Sequence, residues 1–126
     1  MCWMQLLTAA FLAILFLQSG FDKLFDRDGN AAYLRDHFQN SPLSGQVELM
    51  LTVVTAFELI AGTLSGLGTL ALLLWGGRTF AHAGAVMASV TIVMLFFGQR
   101  VAKDYAGAAV LVPYFLLGMF AIHILQ

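Results

Sequence analysis

The sequence predicts an all-α membrane protein: four transmembrane helices in an up-and-down bundle, with a short interfacial helix between the first and second spans. Two observations carry this. The 126 residues are 60% hydrophobic and only 10% charged, whereas a soluble domain normally carries about a quarter charged residues. A chain this short also has little interior in which to hide so much apolar surface. The second observation is the spacing of the apolar runs, since a spanning helix needs roughly 20 mainly apolar residues and four such windows are present.

The first window runs from about Trp3 to Phe21 and stops at the charged "DKLFDRD". It lacks the basic leader and small-residue cleavage site of a signal peptide and is long enough to span, so it reads as a retained helix. The second begins near Gln46 and continues to Trp75 through the small, polar "GTLSGLGT". Thirty residues exceed what an upright span needs, so this helix must tilt, project, or break near Gly62, Gly66 and Gly68. After the tight "GGR" turn, the third covers about Thr79 to Phe97 and the fourth about Gly107 to Leu125. The two short connections force antiparallel neighbours. Pro113 removes one backbone donor from the fourth helix, at the carbonyl of Ala109. Gly62 and Gly66 offer one small-residue face and Ala81, Ala85 and Ala88 another, as close packing in lipid requires.

The one long connection is Asp22 to Gly45. Its centre, "NAAYLRDHFQNSP", predicts a short interfacial helix beginning after Asn30, with Leu34 and Phe38 one turn apart and Pro42 ending it. No internal repeat or second domain is evident, and residues 1–126 read as a single unit. With four spans, both termini and "GGR" share one side. The other side holds Lys23, Arg27, Arg35, Arg100 and Lys103, against Arg78 alone on the first. Counting lysine and arginine near the spans places loops 22–45 and 98–106 in the cytoplasm and the termini outside the bacterial inner membrane.

Composition excludes some functions. A net charge of −1 with six scattered cations gives no basic face for nucleic acid. One cysteine, Cys2, makes neither an internal disulfide nor a paired-cysteine metal site. A nucleophile elbow, a phosphate-binding loop and a metal-hydrolase motif are all missing, so no catalytic residue is assigned and no cofactor is required, with a quinone or lipid as the ligand to consider.

Three groups of residues could carry chemistry. Glu58, in "VVTAFELIAG", stands about twelve residues into the second span, roughly 18 Å along the axis, and an intramembrane acid suggests function by default. Counting the same distance along the other spans brings no lysine, arginine or histidine to its level. Burial then favours the neutral acid, bonded to a threonine, a serine or a backbone carbonyl. It could serve as a proton relay, a quinone-head hydrogen bond or a ligand contact, or simply as polar glue between helices.

Glu48 falls near the level of Lys23, Arg100 and Lys103, and these are expected to form an ion-pair network on the cytoplasmic rim, with Gln18 and Ser19 facing it. Asp22, Asp104 and Tyr105 complete that rim. It reads either as a pocket for a lipid or quinone head group or as a wet belt that fixes topology. In the "FFGQRVAKDYAGAAVLVPY" hairpin, Asp104 is placed to cap the fourth helix and Tyr105 to join the interfacial aromatic belt. His82 and His123 come to similar depth on antiparallel helices. Facing histidines can ligate a haem or a chlorin magnesium, and otherwise hydrogen-bond to water or partner backbone.

Taken together, "FLQSGFDKLF", "FELIAG" and "FGQRVAKDYAGAAVLVPYF" resemble the DoxX family of small bacterial four-helix membrane proteins, in a Bacteroidota-type branch. Gly20, Asp22, Lys23, Glu58 and Gly62 fall where that family has similar residues. The resemblance implies a four-helix membrane protein akin to subunits of quinone-linked oxidoreductases, and it carries over no catalytic residue. Three functional expectations follow. The first is a non-catalytic accessory subunit of a membrane electron-transfer complex, in contact with lipid or quinone and with a larger protein assembly. The second is a small proton-linked carrier acting as a homo-oligomer. The third is a haem- or chlorophyll-binding subunit.

Overall fold

The computed structural model describes residues 3–39 and 44–126. Four long apolar helices account for the spans: α1 (Trp3–Phe25), α3 (Val47–Leu74), α4 (Thr79–Val101) and α5 (Tyr105–Leu125), with the shorter α2 (Arg27–His37) and a 3₁₀ turn at Ser44–Gln46 between the first two. All four long helices have the length and hydropathy to cross a membrane, and no strand occurs among the described residues. The expected all-α membrane architecture is what the chain adopts. Helix α2 starts earlier than expected, at Arg27, because the residues after the non-helical Asp26 already wind helically, with the Asn30 amide donating to the Asp26 carbonyl. The proposed stop at Pro42 lies outside the described residues.

Each long helix buries one narrow stripe. In α1 it is Leu6, Ala9, Leu12, Ala13, Phe16 and Gly20, the three-and-four spacing that keeps side chains on one face. In lipid, apolar side chains gain nothing by leaving the solvent, so close packing of small residues has to hold the helices together. The contacts follow this logic. A Cβ at Gly62 would lie 2.8 Å from the Leu17 amide nitrogen, and one at Gly84 2.7 Å from the Ser65 nitrogen. At Gly68 it would run into the backbone of Ala81. Ala81, Ala85 and Ala88 are buried as expected. Gly66 is different: its nearest neighbour would be the Ala13 methyl at 4.0 Å, an ordinary contact.

Helix α3 packs along α1 and α4, and α4 packs along α5, whereas α1 meets α4 and α5 only over short stretches. The bundle is therefore a folded row of antiparallel neighbours, closed at one end where the Gln5 side chain donates to the Ile124 carbonyl at 2.6 Å. Helix α3 neither breaks at its glycines nor stops short; it is continuous over 28 residues. It projects. With Gly20 against Leu59, Gly62 against Leu17 and Gly66 near Ala13, the last residue of α1 stands level with about residue 54. The first two turns of α3 thus extend beyond α1 by about 10 Å. Helix α4 keeps α3 company on that side, since Gly68 meets Ala81 and Gly84 meets Ser65. The result is a step beside α3 and α4, and α2 lies across it. Helix α5 continues through Pro113.

Candidate functional site

The step sets the site. Because α1 ends early, Lys23 lies deeper along α3 than its distance from the helix end suggests, and its Nζ reaches both carboxylate oxygens of Glu58 at 3.2 Å. It also donates to the Ser19 hydroxyl at 2.9 Å, one turn back on α1. Glu58 is 1% exposed and the Lys23 side chain 22%. This corrects the expectations that no cation reaches the level of Glu58 and that its partner is a hydroxyl or a backbone carbonyl. Three of the buried hydroxyls are occupied elsewhere, each bonding four residues back along its own helix: Thr55 to Leu51, Ser89 to Ala85 and Thr91 to Met87; the fourth among the described residues, Ser65 of α3, is buried about two turns beyond Glu58 with its hydroxyl unpaired. Such local bonds are the usual fate of serine and threonine inside helices. A long lysine stem can lie along apolar surface while its ammonium group reaches a distant partner, and that is how Lys23 bridges the gap.

The expected single rim network divides into separate pairs. Glu48 pairs with Arg35 of α2, in place of Lys23, Arg100 or Lys103. Both partners are exposed, so the pair adds little stability. Arg27 donates to the Thr52 hydroxyl at 2.6 Å, and the two arginines together tie α2 to the projecting start of α3. Arg100 lies over the Tyr105 ring at 5.1 Å, a cation–π contact across the α4–α5 turn. Gln18 is on the exposed side of α1, and Asp22 is exposed, with its carbonyl accepting from the Asp26 amide.

The turn itself has a defined chemistry. Lys103 adopts φ +63°, while the Asp104 amide donates to the Gln99 carbonyl and the Lys103 amide to the Arg100 carbonyl. This is the left-handed helix stop that usually takes glycine. Asp104 then caps α5 as expected, accepting from the Gly107 amide at 2.9 Å. Its other oxygen lies 3.5 Å from His37 Nε2. The same nitrogen is 2.8 Å from the Gln99 side-chain oxygen. Replacing Asp104 with Ala should cost about 1 kcal/mol through the lost cap and loosen α2, readable as faster amide exchange at residues 31–38.

His37 joins the candidate site without having been expected there. It stacks on Tyr33 at 5.4 Å and meets Phe38 edge-on at 5.3 Å, both at the end of α2 itself, so that its polar contacts to Gln99 and Asp104 clasp α2 to the α4–α5 turn. The spacing of Tyr33 and His37, four residues apart in "YLRDHF", was the available signal.

Under α2 lies a groove of ≈580 Å³ between α3 and α4. Val53, Val54, Val93, Met94 and Phe97 are part of its wall, Tyr33, Leu34 and Phe38 its cover, and Lys23, His37 and Gln99 its polar groups. Leu49, Val93 and Phe97 are well exposed, so the groove opens sideways onto lipid. The rim residues expected to form a head-group pocket contribute Lys23 alone; His37 and Gln99 replace the others.

His82 is half-buried near the start of α4 and His123 exposed near the end of α5. Gly118 against Ser89 puts them at similar height, as antiparallel packing predicts. Among the described residues, no group of three or more histidine, cysteine, aspartate or glutamate side chains could hold a metal ion.

A protein-family model described as DoxX matches residues 5–100, covering α1 through nearly all of α4 and ending before the α4–α5 turn. No curated protein and no solved structure matches the chain.

Proposed function

The chain belongs to the DoxX family, and on that premise we propose that it is a non-catalytic accessory subunit of a bacterial membrane electron-transfer complex, one that packs against larger subunits and holds a membrane amphiphile in its side groove. The observation that carries this reading is the groove: a volume of ≈580 Å³, within the range of small-ligand sites, open to lipid and apolar except at its two ends. The polar groups there, Lys23 with Glu58 and His37 with Asp104 and Gln99, are engaged with one another. That arrangement suits holding and orienting a molecule better than attacking one. Packing against partners is supported by α5, where only 22% of the apolar window is buried. In this reading the protein crosses the cytoplasmic membrane four times, with loops 22–45 and 98–106 inside and both termini outside.

The Lys23–Glu58 pair also supports a second reading, a proton-linked carrier working as a homo-oligomer, since a buried ion pair beside an open groove is a place where a proton or substrate could compete for one partner. Extraction in mild detergent followed by identification of the co-purifying chains separates the two. Stoichiometric recovery of quinone-linked or respiratory subunits is the expected result. A homogeneous homo-oligomer with no other chain would sink the accessory role and favour the carrier.

A further inference from the structure

The outward side of α1 carries one residue that lipid cannot satisfy. Met4, Leu7, Phe11, Ile14, Phe21 and Phe25 are exposed, and Gln18 is exposed in the same row. From Met4 to Phe25 the row advances by alternate steps of three and four residues, which keeps it on one face. Gln18 is its only polar member. The register fixes its depth. With Gly20 against Leu59 and Gly62 against Leu17, Gln18 stands level with about residue 61 of α3, close to the middle of Val47–Leu74. Ser65 against Gly84 carries that level to about residue 88 of α4, again near the middle of a span, Thr79–Val101. Gln18 therefore sits within the apolar layer. Every Cα–Cβ bond of a helix tilts toward its N-terminus, so the side chain leans toward Trp3 and away from the nearer water, at the α2 side. Gln5, the other glutamine of α1, donates to the Ile124 carbonyl, whereas the Gln18 amide has no hydrogen-bond partner among the described residues. Lipid tails offer neither donor nor acceptor, and a carboxamide held among them costs free energy until a protein group meets it.

The chemistry of the amide selects the partner. A carboxamide is donor and acceptor at once, which makes it its own complement. Copies of a membrane protein insert in one orientation, so two α1 helices related by a two-fold axis along the membrane normal run parallel and bring identical residues to the same depth. Gln18 then faces Gln18 of the second copy, and each amide can donate to the other's oxygen. The three-and-four row is also the seam along which parallel helices pack, where one polar residue sets the register.

We infer that the chain pairs with a second copy of itself through the Met4–Phe25 face of α1, with the two Gln18 side chains hydrogen-bonded across the two-fold axis. Helix α5, whose apolar window is the least buried of the four, is left open to larger partners. The pairing goes beyond the proposed accessory role and does not depend on it.

The test has two readouts on the full chain. In native membranes, single cysteines on a Cys2→Ser background are oxidised with a copper catalyst and oxygen, so that two neighbouring thiols each lose a hydrogen and join as a disulfide while oxygen is reduced. Phe11→Cys, Ile14→Cys and Phe21→Cys should give cross-linked dimers, and Val110→Cys and Leu116→Cys, on the exposed side of α5, should not. In phosphatidylcholine vesicles, energy transfer between labelled copies over a range of protein-to-lipid ratios gives the dissociation constant. Gln18→Leu should weaken pairing by about threefold to thirtyfold, the range for a polar contact between helices in lipid, with unchanged helical circular dichroism. Gln18→Asn keeps the carboxamide and should restore most of the affinity.

Cross-links that favour α5, cross-links from α1 to a different chain, or a Gln18→Leu variant that pairs as tightly as the parent would each overturn the assignment. Which other subunits co-purify is a separate readout. A pair recovered without any other chain would leave this interface standing and remove the accessory role, and co-purifying subunits without α1 cross-links would do the reverse.

Discussion

Replacing Lys23 with methionine should destabilise the protein by about 3–5 kcal/mol, because it leaves the carboxylate of Glu58 buried without a counter-charge. Glu58 is 1% exposed, and the buried hydroxyls of Thr55 and Thr91 are bonded within their own helices, so neither is a ready substitute partner. Thermal unfolding in detergent, followed by helical circular dichroism, measures the loss. The double variant Lys23→Met/Glu58→Leu should recover most of it, since exchanging a whole buried pair for apolar groups is often neutral. A single variant as stable as the parent would mean that the two side chains do not depend on each other. Substituting Arg35, whose partner Glu48 is exposed, is the control: it should change stability by no more than about 1 kcal/mol.

The second large effect is expected at Gly68. An alanine there would drive its methyl into the main chain of Ala81, and backbone cannot rotate away as a side chain does. The α3–α4 pair must then separate, at a cost of about 1–3 kcal/mol, typical of overpacking. Gly66→Ala, two residues earlier in the same helix, meets only the Ala13 methyl at 4.0 Å. There the better helix propensity of alanine should prevail, with a gain of up to about 1 kcal/mol. Because both sites are interior to α3, the difference between the two variants isolates close approach from helix propensity. It is measured as the difference in unfolding free energy or midpoint under one detergent condition. Equal effects would show that the small-residue stripe of α3 does not set the distance to α4.

These two predictions mark what the sequence could and could not reveal. The four spans were legible because hydrophobic runs of spanning length are a direct record of the solvent, and the alanine face of α4 because in lipid only small residues let backbones approach. The cap at Asp104 was legible for a local reason: its bond to the Gly107 amide involves residues three apart. The partner of Glu58 was not, and the reason is geometric. Depth counted from the start of each helix assumes that neighbours begin level, whereas Gly20 sits against Leu59 and Gly62 against Leu17. That register carries α3 two turns past the end of α1 and brings Lys23 to Glu58.

The same offset explains the rim. Glu48, at the projecting end of α3, is out of reach of α1 and finds Arg35 on α2 instead. His37 could not be placed from sequence because its partners, Gln99 and Asp104, lie more than 60 residues away and meet it only once α2 crosses the step. The groove has the same origin: without the shortened α1 there would be no gap for α2 to cover.

The candidate site depends on an ionised Glu58 held by Lys23 at the inner end of that groove. The most direct measurement is infrared spectroscopy of the purified protein in lipid at neutral pH, with Glu58→Gln as the reference. The pairing predicts that the bands lost in the variant are those of a carboxylate, and that restoring the acid restores them. Loss of a protonated carboxyl C=O band instead would contradict the ion pair, and with it the position of α1 against α3 on which the site is built.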